Sequence, residues 1–143
     1  MALTKARDAE IIETMQQYST AYRNKDIRAL SAIFSHDISG FGSGPDEVIT
    51  NHADFIRHMK RDMSQATILS VEFFDRKISG DGRVAWATSK STITFTVDGS
   101  EKQTLRGRST MVLRNTGSRW VIEQLHFSLP YGEQSVGQSF PGA

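Results

Sequence analysis

The chain has 143 residues, a length that is usual for one domain with a single hydrophobic core. It carries 17 Lys and Arg against 16 Asp and Glu, so it lacks the basic excess that is typical of proteins bound to nucleic acid or membrane surfaces. The absence of Cys excludes disulfides, thiolate metal ligands and a Cys nucleophile. No apolar run approaches the roughly 18 residues of a membrane span, and the charged N-terminus does not resemble a signal peptide. We therefore expect a cytoplasmic protein.

Helical spacing of the apolar residues marks the first part of the chain. It predicts a long helix over residues 6–23 and, with Asp26 as its N-cap, a short helix over residues 26–34. A third helix is predicted over Ala53–Met63. One face of this third helix is apolar and carries Phe55, Ile56, Met59 and Met63. Its polar face is interpreted as exposed to solvent and carries Arg57, Lys60, Arg61 and Asp62.

Beyond residue 66 the apolar residues recur with a period of two, which is typical of strands. Four long strands rich in β-branched and aromatic residues are predicted over Thr67–Ile78, Arg83–Val97, Lys102–Arg114 and Arg119–Leu129. Short polar turns join these strands, so we expect an antiparallel meander, to which residues 38–42 add a short fifth strand.

The order of the elements indicates an α+β domain over residues 1–130, with three N-terminal helices on one face of a curved antiparallel sheet. Strands of this length must bend, so the sheet is expected to form a cone. A cone closed on one side by helices leaves an interior pocket, which is a common place for a small-molecule site. Residues 131–143 are rich in Gly, Pro, Ser and Gln, and are expected to form a flexible tail.

Several short motifs along residues 6–130 together resemble a known family. They are Tyr22-Arg23-Asn24-Lys25-Asp26 with Leu30 and Phe34, Ser35-His36-Asp37, Gly42-Ser43-Gly44-Pro45-Asp46-Glu47, Gly107-Arg108-Ser109-Thr110-Met111-Val112, and Trp120-Val121-Ile122 followed by His126-Phe127-Ser128. In order and spacing the chain resembles a SnoaL-like domain of the nuclear-transport-factor-2-like (ketosteroid isomerase-like) superfamily. The resemblance implies a curved sheet wrapped around helices, an interior pocket, and a dimer across the outer sheet face. It implies no single reaction, because this fold hosts isomerases, cyclases, dehydratases, hydrolases and non-catalytic association domains.

Alternation along the last strand predicts that Gln124, His126 and Ser128 share the face that lines the pocket. His126 is the strongest candidate for acid–base catalysis, because its imidazole lies beside the Ser128 hydroxyl. The alternative is a buried histidine that is satisfied by a neighbouring protein group.

The opposite face of the last strand is mostly apolar, with Val121, Leu125 and Phe127. An apolar outer face is expected to contact another chain. We therefore expect a homodimer through the outer sheet face.

Glu47 ends a glycine-rich loop over residues 40–47, and glycines let a backbone approach a ligand closely. A carboxylate on such a loop can act as a general base or orient His126. The alternative is a solvated acid near the start of the following helix.

Four further residues are candidates for binding the substrate. Arg108 can hold a ligand carboxylate, although a pair with an acid of the protein is the favoured interpretation. Asp37 lies where the family often has an acid, and capping of a local turn is the alternative. Tyr18 and Tyr22 lie four residues apart on the buried face of the first helix, where one can reach the pocket and core packing is the alternative.

No group of histidines and acids has the spacing of a metal site, so no metal is expected. No cofactor is expected either, because acid–base proton transfer needs none. The catalytic acids of the ketosteroid isomerases fall near Gly42 or Ser43 and near Ser109 or Thr110, where this chain has no acid. The sequence therefore favours a small-molecule pocket protein, as a cofactor-independent isomerase, cyclase or hydratase acting by acid–base chemistry on a moderately apolar substrate. The alternative is a non-catalytic association or ligand-binding module.

Overall fold

The computed structural model describes residues 3–143 of the chain. In chain order its elements are α1 (Lys5–Arg23), α2 (Ile27–Ile33), β1 (Phe34–Phe41), β2 (Val48–Ile49), α3 (His52–Gln65), β3 (Thr67–Gly80), β4 (Val84–Thr96), β5 (Gln103–Asn115) and β6 (Trp120–Ser128). The predicted helices and the four long predicted strands are confirmed, with ends that differ by at most two residues.

Each helix begins at a polar N-cap. The side chains of Thr4, Asp26 and Asn51 each accept a hydrogen bond from the backbone N–H three residues further on. These bonds satisfy donors that the first turn of a helix leaves without an intrahelical partner. The prediction that Asp26 caps the second helix is confirmed.

The sheet has the strand order β2-β1-β6-β5-β4-β3 and is not closed into a barrel. The four long strands form the predicted antiparallel meander. The short predicted strand is longer than expected and runs parallel to β6, and the two-residue strand β2 was not predicted. The local residue pattern does not show whether a strand pairs in parallel with another strand that is distant in sequence. The length and direction of β1 therefore could not be predicted from it.

A bulge in β6 decides which side chains face the helices. Leu113 pairs with Ile122 while Val112 pairs with Gln124, so Glu123 is an extra residue on β6. An extra residue reverses the alternation of side chains beyond it. After the bulge Leu125 is buried, whereas Gln124 and His126 are exposed.

The core lies between the helices and the concave face of the sheet. Its fully buried large side chains are Phe55, Ile11, Met15, Leu30, Ile38, Met111, Leu113 and Ile122. Trp120 is also buried, and its indole N–H donates to Glu10 Oε2 at 2.8 Å, which links β6 to α1. The opposite, convex side of the sheet, called here the outer face, carries Trp86 and Lys90 of β4 and Arg108 of β5.

Residues 131–143 form neither a helix nor a strand, and nearly all of their side chains are exposed. Among the helices of residues 3–143, none is both long enough and apolar enough to cross a membrane.

Candidate functional site

A cavity of about 220 Å³ lies between α1, α3, the glycine-rich loop and the concave face of the sheet. Its sheet wall is mainly apolar and includes Phe73, Phe95, Leu105, Leu125 and Phe127. An apolar cavity of about 150 Å³ accepts benzene. The cavity therefore has room for a small molecule built on one ring with substituents.

Tyrosines of α1 meet an acid of α3 at the polar side of this cavity. The Tyr22 hydroxyl donates to Asp62 Oδ2 at 2.8 Å. Tyr18 stacks on Tyr22 with ring centroids 5.8 Å apart, and both rings line the cavity together with Asp62. The four-residue spacing on α1 places the two rings one above the other, as expected for helical residues one turn apart.

Burial changes the protonation behaviour of these three side chains. It raises the pKa of Asp62 above its ordinary value, and the nearby negative charge of Glu47 adds to this shift. The hydrogen bond from Tyr22 opposes the shift, because it stabilises the carboxylate. Burial also raises the pKa of both Tyr18 and Tyr22. The tyrosines are therefore neutral hydroxyl donors, and Asp62 exchanges its proton closer to neutral pH than an exposed aspartate does.

Glu47 also lines the cavity, but its carboxylate is held by the glycine-rich loop and by α3. Oε2 accepts a hydrogen bond from the backbone N–H of Gly44, and Oε1 lies 3.3 Å from Arg61 Nη2. A Cβ at position 42 would lie 2.6 Å from Oε2 and 2.9 Å from the Cβ of Glu47, so a larger residue there would have to displace this side chain. Arg61 also contacts Asp46 at 2.6 Å. These contacts fix the loop against α3.

His58 lines the cavity one helical turn before Asp62. Only 8% of the residue is exposed. Within residues 3–143, its Nδ1 is buried and has no hydrogen-bond partner.

The predicted orientation of Gln124, His126 and Ser128 toward the pocket is wrong. The bulge at Glu123 turns this set to the outer face, where His126 is exposed and its ring lies 5.4 Å from that of Phe41. The apolar set of Val121, Leu125 and Phe127 does not face outward: Val121 is buried, and Leu125 and Phe127 line the cavity. The argument for a dimer from this apolar set is therefore wrong as well.

Arg108 and Asp37 also lie away from the cavity. Arg108 is exposed on the outer face, and its register partners are Lys90 and Ser128 rather than an acid. Among residues 3–143 it therefore does not form the expected ion pair. Asp37 is exposed on β1, and its backbone N–H donates to Ser35 Oγ at 3.1 Å. Of the predicted site residues, the structure brings together Tyr18, Tyr22 and Glu47.

Sequence reasoning missed Asp62 and His58 as cavity residues, and it assigned Asp62 to the exposed face of α3. The buried residues Phe55, Met59 and Met63 recur every four positions along this helix. His58 and Asp62 each precede one of these methionines, so they border the buried stripe. This spacing is the signal that could have found them.

Residues 11–132 match a family model that describes a SnoaL-like domain. The chain belongs to the SnoaL-like family. No curated protein matches this SnoaL-like chain.

Solved structures with the same fold cover nearly the whole SnoaL-like chain. A nuclear-transport-factor-2-like superfamily protein from Salmonella enterica serovar Typhimurium LT2 is 19% identical, with 96% of this chain and 100% of that chain covered and a TM-score of 0.81. A protein from Novosphingobium aromaticivorans DSM 12444, described as a candidate scytalone dehydratase, is 12% identical, with coverages of 94% and 96% and a TM-score of 0.79. A protein of unknown function from Pseudomonas putida KT2440 is 20% identical, with coverages of 90% and 90% and a TM-score of 0.76. At these identities the similarity shows the fold, and the chemistry has to be argued from the cavity.

Proposed function

We propose that this SnoaL-like protein is a cofactor-independent enzyme that moves a proton on a small, moderately apolar carbonyl compound. The observation that carries the proposal is the hydrogen bond of 2.8 Å between Tyr22 and Asp62 at the wall of an apolar cavity. A carboxylate with a raised pKa is suited to general acid–base catalysis, because it accepts a proton more readily than an ordinary aspartate and can return it.

In the proposed reaction, ionised Asp62 accepts a proton from the carbon next to the substrate carbonyl. The C–H bond breaks, its electron pair forms an enolate, and the neutral hydroxyl of Tyr18 donates a hydrogen bond to the enolate oxygen. Tyr22 keeps the Asp62 carboxylate in place through its own hydrogen bond.

The enolate then has two outcomes. If the substrate has a β,γ double bond, the enolate is conjugated and protonated Asp62 returns the proton to the γ-carbon while the double bond moves to the α,β position, which is an isomerisation. If the substrate has a hydroxyl group on the β-carbon, that group leaves and takes the proton of Asp62 to form water, which is a dehydration. The name of the structurally similar candidate scytalone dehydratase agrees with the second outcome. Glu47 serves in this proposal as a positioning residue, because its carboxylate is engaged by Gly44 and Arg61. His126 has no part in it, because its side chain lies on the outer face.

The proposal is tested by following deuterium exchange at the carbon next to a carbonyl, by proton NMR in D₂O, with cyclohexanone and 3-hydroxycyclohexanone as probes. The wild-type protein is expected to accelerate the exchange, and Asp62→Asn to slow it by about 100-fold or more. The matched control is Asp37→Asn, which changes an exposed aspartate outside the cavity and is expected to behave as the wild type. Asp62→Asn that is folded and exchanges at the wild-type rate contradicts the proposal, and binding of the probes without any exchange favours a non-catalytic binding module.

We also propose that the protein is a homodimer through the outer face. The support is an exposed apolar patch there: Trp86 is 49% exposed and pairs across the sheet with Val112. Native mass spectrometry is expected to show a dimer that Trp86→Lys dissociates, and a wild-type monomer contradicts this proposal.

A further inference from the structure

The cavity opens toward one end of the sheet, and the exposure of the side chains along its sheet wall shows which end. On the concave side of β5 the exposed fraction rises from 0% at Met111 through 6% at Ser109 to 37% at Leu105. On β6 Leu125 is buried, whereas Phe127, the next residue on this side, is partly exposed. Leu105 and Phe127 both line the cavity. They therefore lie at its open end.

The ring of Phe127 lies across a glycine of the neighbouring strand. A Cβ at Gly107 would lie 2.6 Å from Cζ and 2.8 Å from Cε1 of this ring. In the register of the sheet Phe127 pairs with Ser109, so its ring leans along β5 toward the open end. A strand glycine has no side chain of its own, and an aromatic ring from the next strand can fill the space above it. Gly107 thus provides the place in which the ring lies at the open end of the cavity.

The size of the cavity makes the position of this ring important for a ligand. An apolar cavity of about 150 Å³ accepts benzene, and this cavity has about 220 Å³. One ring with small substituents fits such a space, and a second fused ring has to extend beyond it. Tyr22, on the polar side, is only 7% exposed and bonded to Asp62, so that side is closed. A longer ligand would therefore have to extend past Phe127.

We propose that Phe127 is a specificity-determining residue that limits the length of the ligand at the open end of the cavity. The inference rests on the proposed function and deepens it, because it assigns a further residue to the same site. A phenylalanine ring has no polar atom, so it acts on a ligand through shape and apolar contact. One methylene more or less in an apolar pocket changes discrimination by about 10–200-fold. Removal of a whole ring is a larger change, and it extends the cavity over Gly107.

The test compares the binding of phenol and of 2-naphthol, which adds a second fused ring to the ring that carries the hydroxyl. Neither compound has a carbonyl group, so their binding depends on the shape of the cavity and is independent of the proposed reaction. In calorimetry at neutral pH, Phe127→Ala is expected to shift the ratio of the two affinities toward 2-naphthol by about tenfold or more relative to the wild type. Phe127→Leu is expected to shift it by a smaller factor.

The matched control is Phe74→Ala, which removes a ring that is 40% exposed on β3 and does not line the cavity. This variant is expected to have the same affinity ratio as the wild type. A ratio that Phe127→Ala leaves unchanged overturns the inference. An equal loss of both affinities also overturns it, because that is the result of a purely structural role.

A second measurement uses the wild type alone and does not depend on the folding of a variant. In protein with ¹³C-labelled phenylalanine, bound phenol is expected to show nuclear Overhauser effects to the ring of Phe127 and none to that of Phe74. Bound phenol without contact to Phe127, or no binding of phenol, overturns the inference.

The inference and the proposed function fail separately. If Asp62→Asn retains deuterium exchange of the ketones while Phe127→Ala shifts the affinity ratio, the proton-transfer proposal falls and the role of Phe127 stands. If Asp62→Asn abolishes exchange while Phe127→Ala leaves the ratio unchanged, the reverse holds.

Discussion

The hydrogen bond from Tyr22 to Asp62 links α1 to α3, and its contribution to stability is expected to depend on pH. Tyr22→Phe removes the hydroxyl and leaves the ring in its stack on Tyr18. A hydrogen bond to a charged group contributes about 1.5–3 kcal/mol, and a neutral pair about 0.5–1.5 kcal/mol. Tyr22→Phe is therefore expected to lower the free energy of unfolding more at a pH where Asp62 is ionised than at a pH where Asp62 is protonated.

The sign of this pH dependence follows from the raised pKa of Asp62. A carboxyl group with a folded-state pKa above its unfolded value weakens the fold as the pH rises through the folded pKa, and contributes nothing below the unfolded value. Because the Tyr22 hydroxyl lowers the pKa of Asp62, its removal raises that pKa further. The additional destabilisation of Tyr22→Phe thus develops as the pH rises through the pKa of Asp62.

The assay is urea unfolding of the wild type, Tyr22→Phe, Asp62→Asn and the double variant at an acidic and a mildly alkaline pH. At alkaline pH Tyr22→Phe is expected to lower the free energy of unfolding by about 1.5–3 kcal/mol, or the melting temperature by about 3–12 °C. The control Tyr131→Phe removes an exposed hydroxyl that bonds Glu133 at 2.6 Å, and is expected to change stability by less than about 0.5 kcal/mol. A double-mutant cycle with no coupling between Tyr22 and Asp62, or a Tyr22→Phe loss that is equal at both pH values, would refute the reasoning.

Three further predictions concern the loop, a close backbone contact and the outer face. Arg61→Gln removes the partially exposed contacts to Asp46 and Glu47, so the free energy of unfolding is expected to fall by less than about 1 kcal/mol. Hydrogen exchange of the backbone amides of the glycine-rich loop is expected to become faster. Unchanged exchange would contradict the conclusion that Arg61 holds this loop against α3. Gly40→Ala brings a Cβ within 1.7 Å of a β6 carbonyl oxygen at a φ of +155°, so it is expected to cost about 2–6 kcal/mol or prevent folding; near-wild-type stability in urea would contradict this contact. His126→Ala is expected to leave the rate of deuterium exchange of the ketones unchanged. Loss of exchange in a folded variant would indicate that His126 takes part in the reaction.

Local residue patterns were enough to predict the helices and the four long strands of this protein. The period of the apolar residues gave three helices and four long strands within two residues of their ends, and Asp26 marked the start of α2. The spacing of Tyr18 and Tyr22 placed both on the buried face of α1. These features depend on residues that are only a few positions apart, so they can be recognised from the sequence alone.

The residues of the site could not be predicted in the same way, because their orientation depends on pairing between strands rather than on any one short segment. A single extra residue, Glu123, exchanges the two faces of β6, so His126 lies outside and Leu125 lines the cavity. The same alternating sequence is compatible with either face, because only pairing with β5 shows where the bulge falls.

The sequence by itself determined the SnoaL-like class of this protein, the order of its elements and the buried stripes of its helices. The tertiary structure decided which acid lies buried at the cavity wall. By its helix alone Asp62 only borders the buried stripe of α3. It has a raised pKa and a tyrosine partner because the fold places it beside Tyr22 of α1 at the wall of an apolar cavity. The reactivity of a carboxyl group is set by its burial and its neighbours, and both are properties of the packed chain.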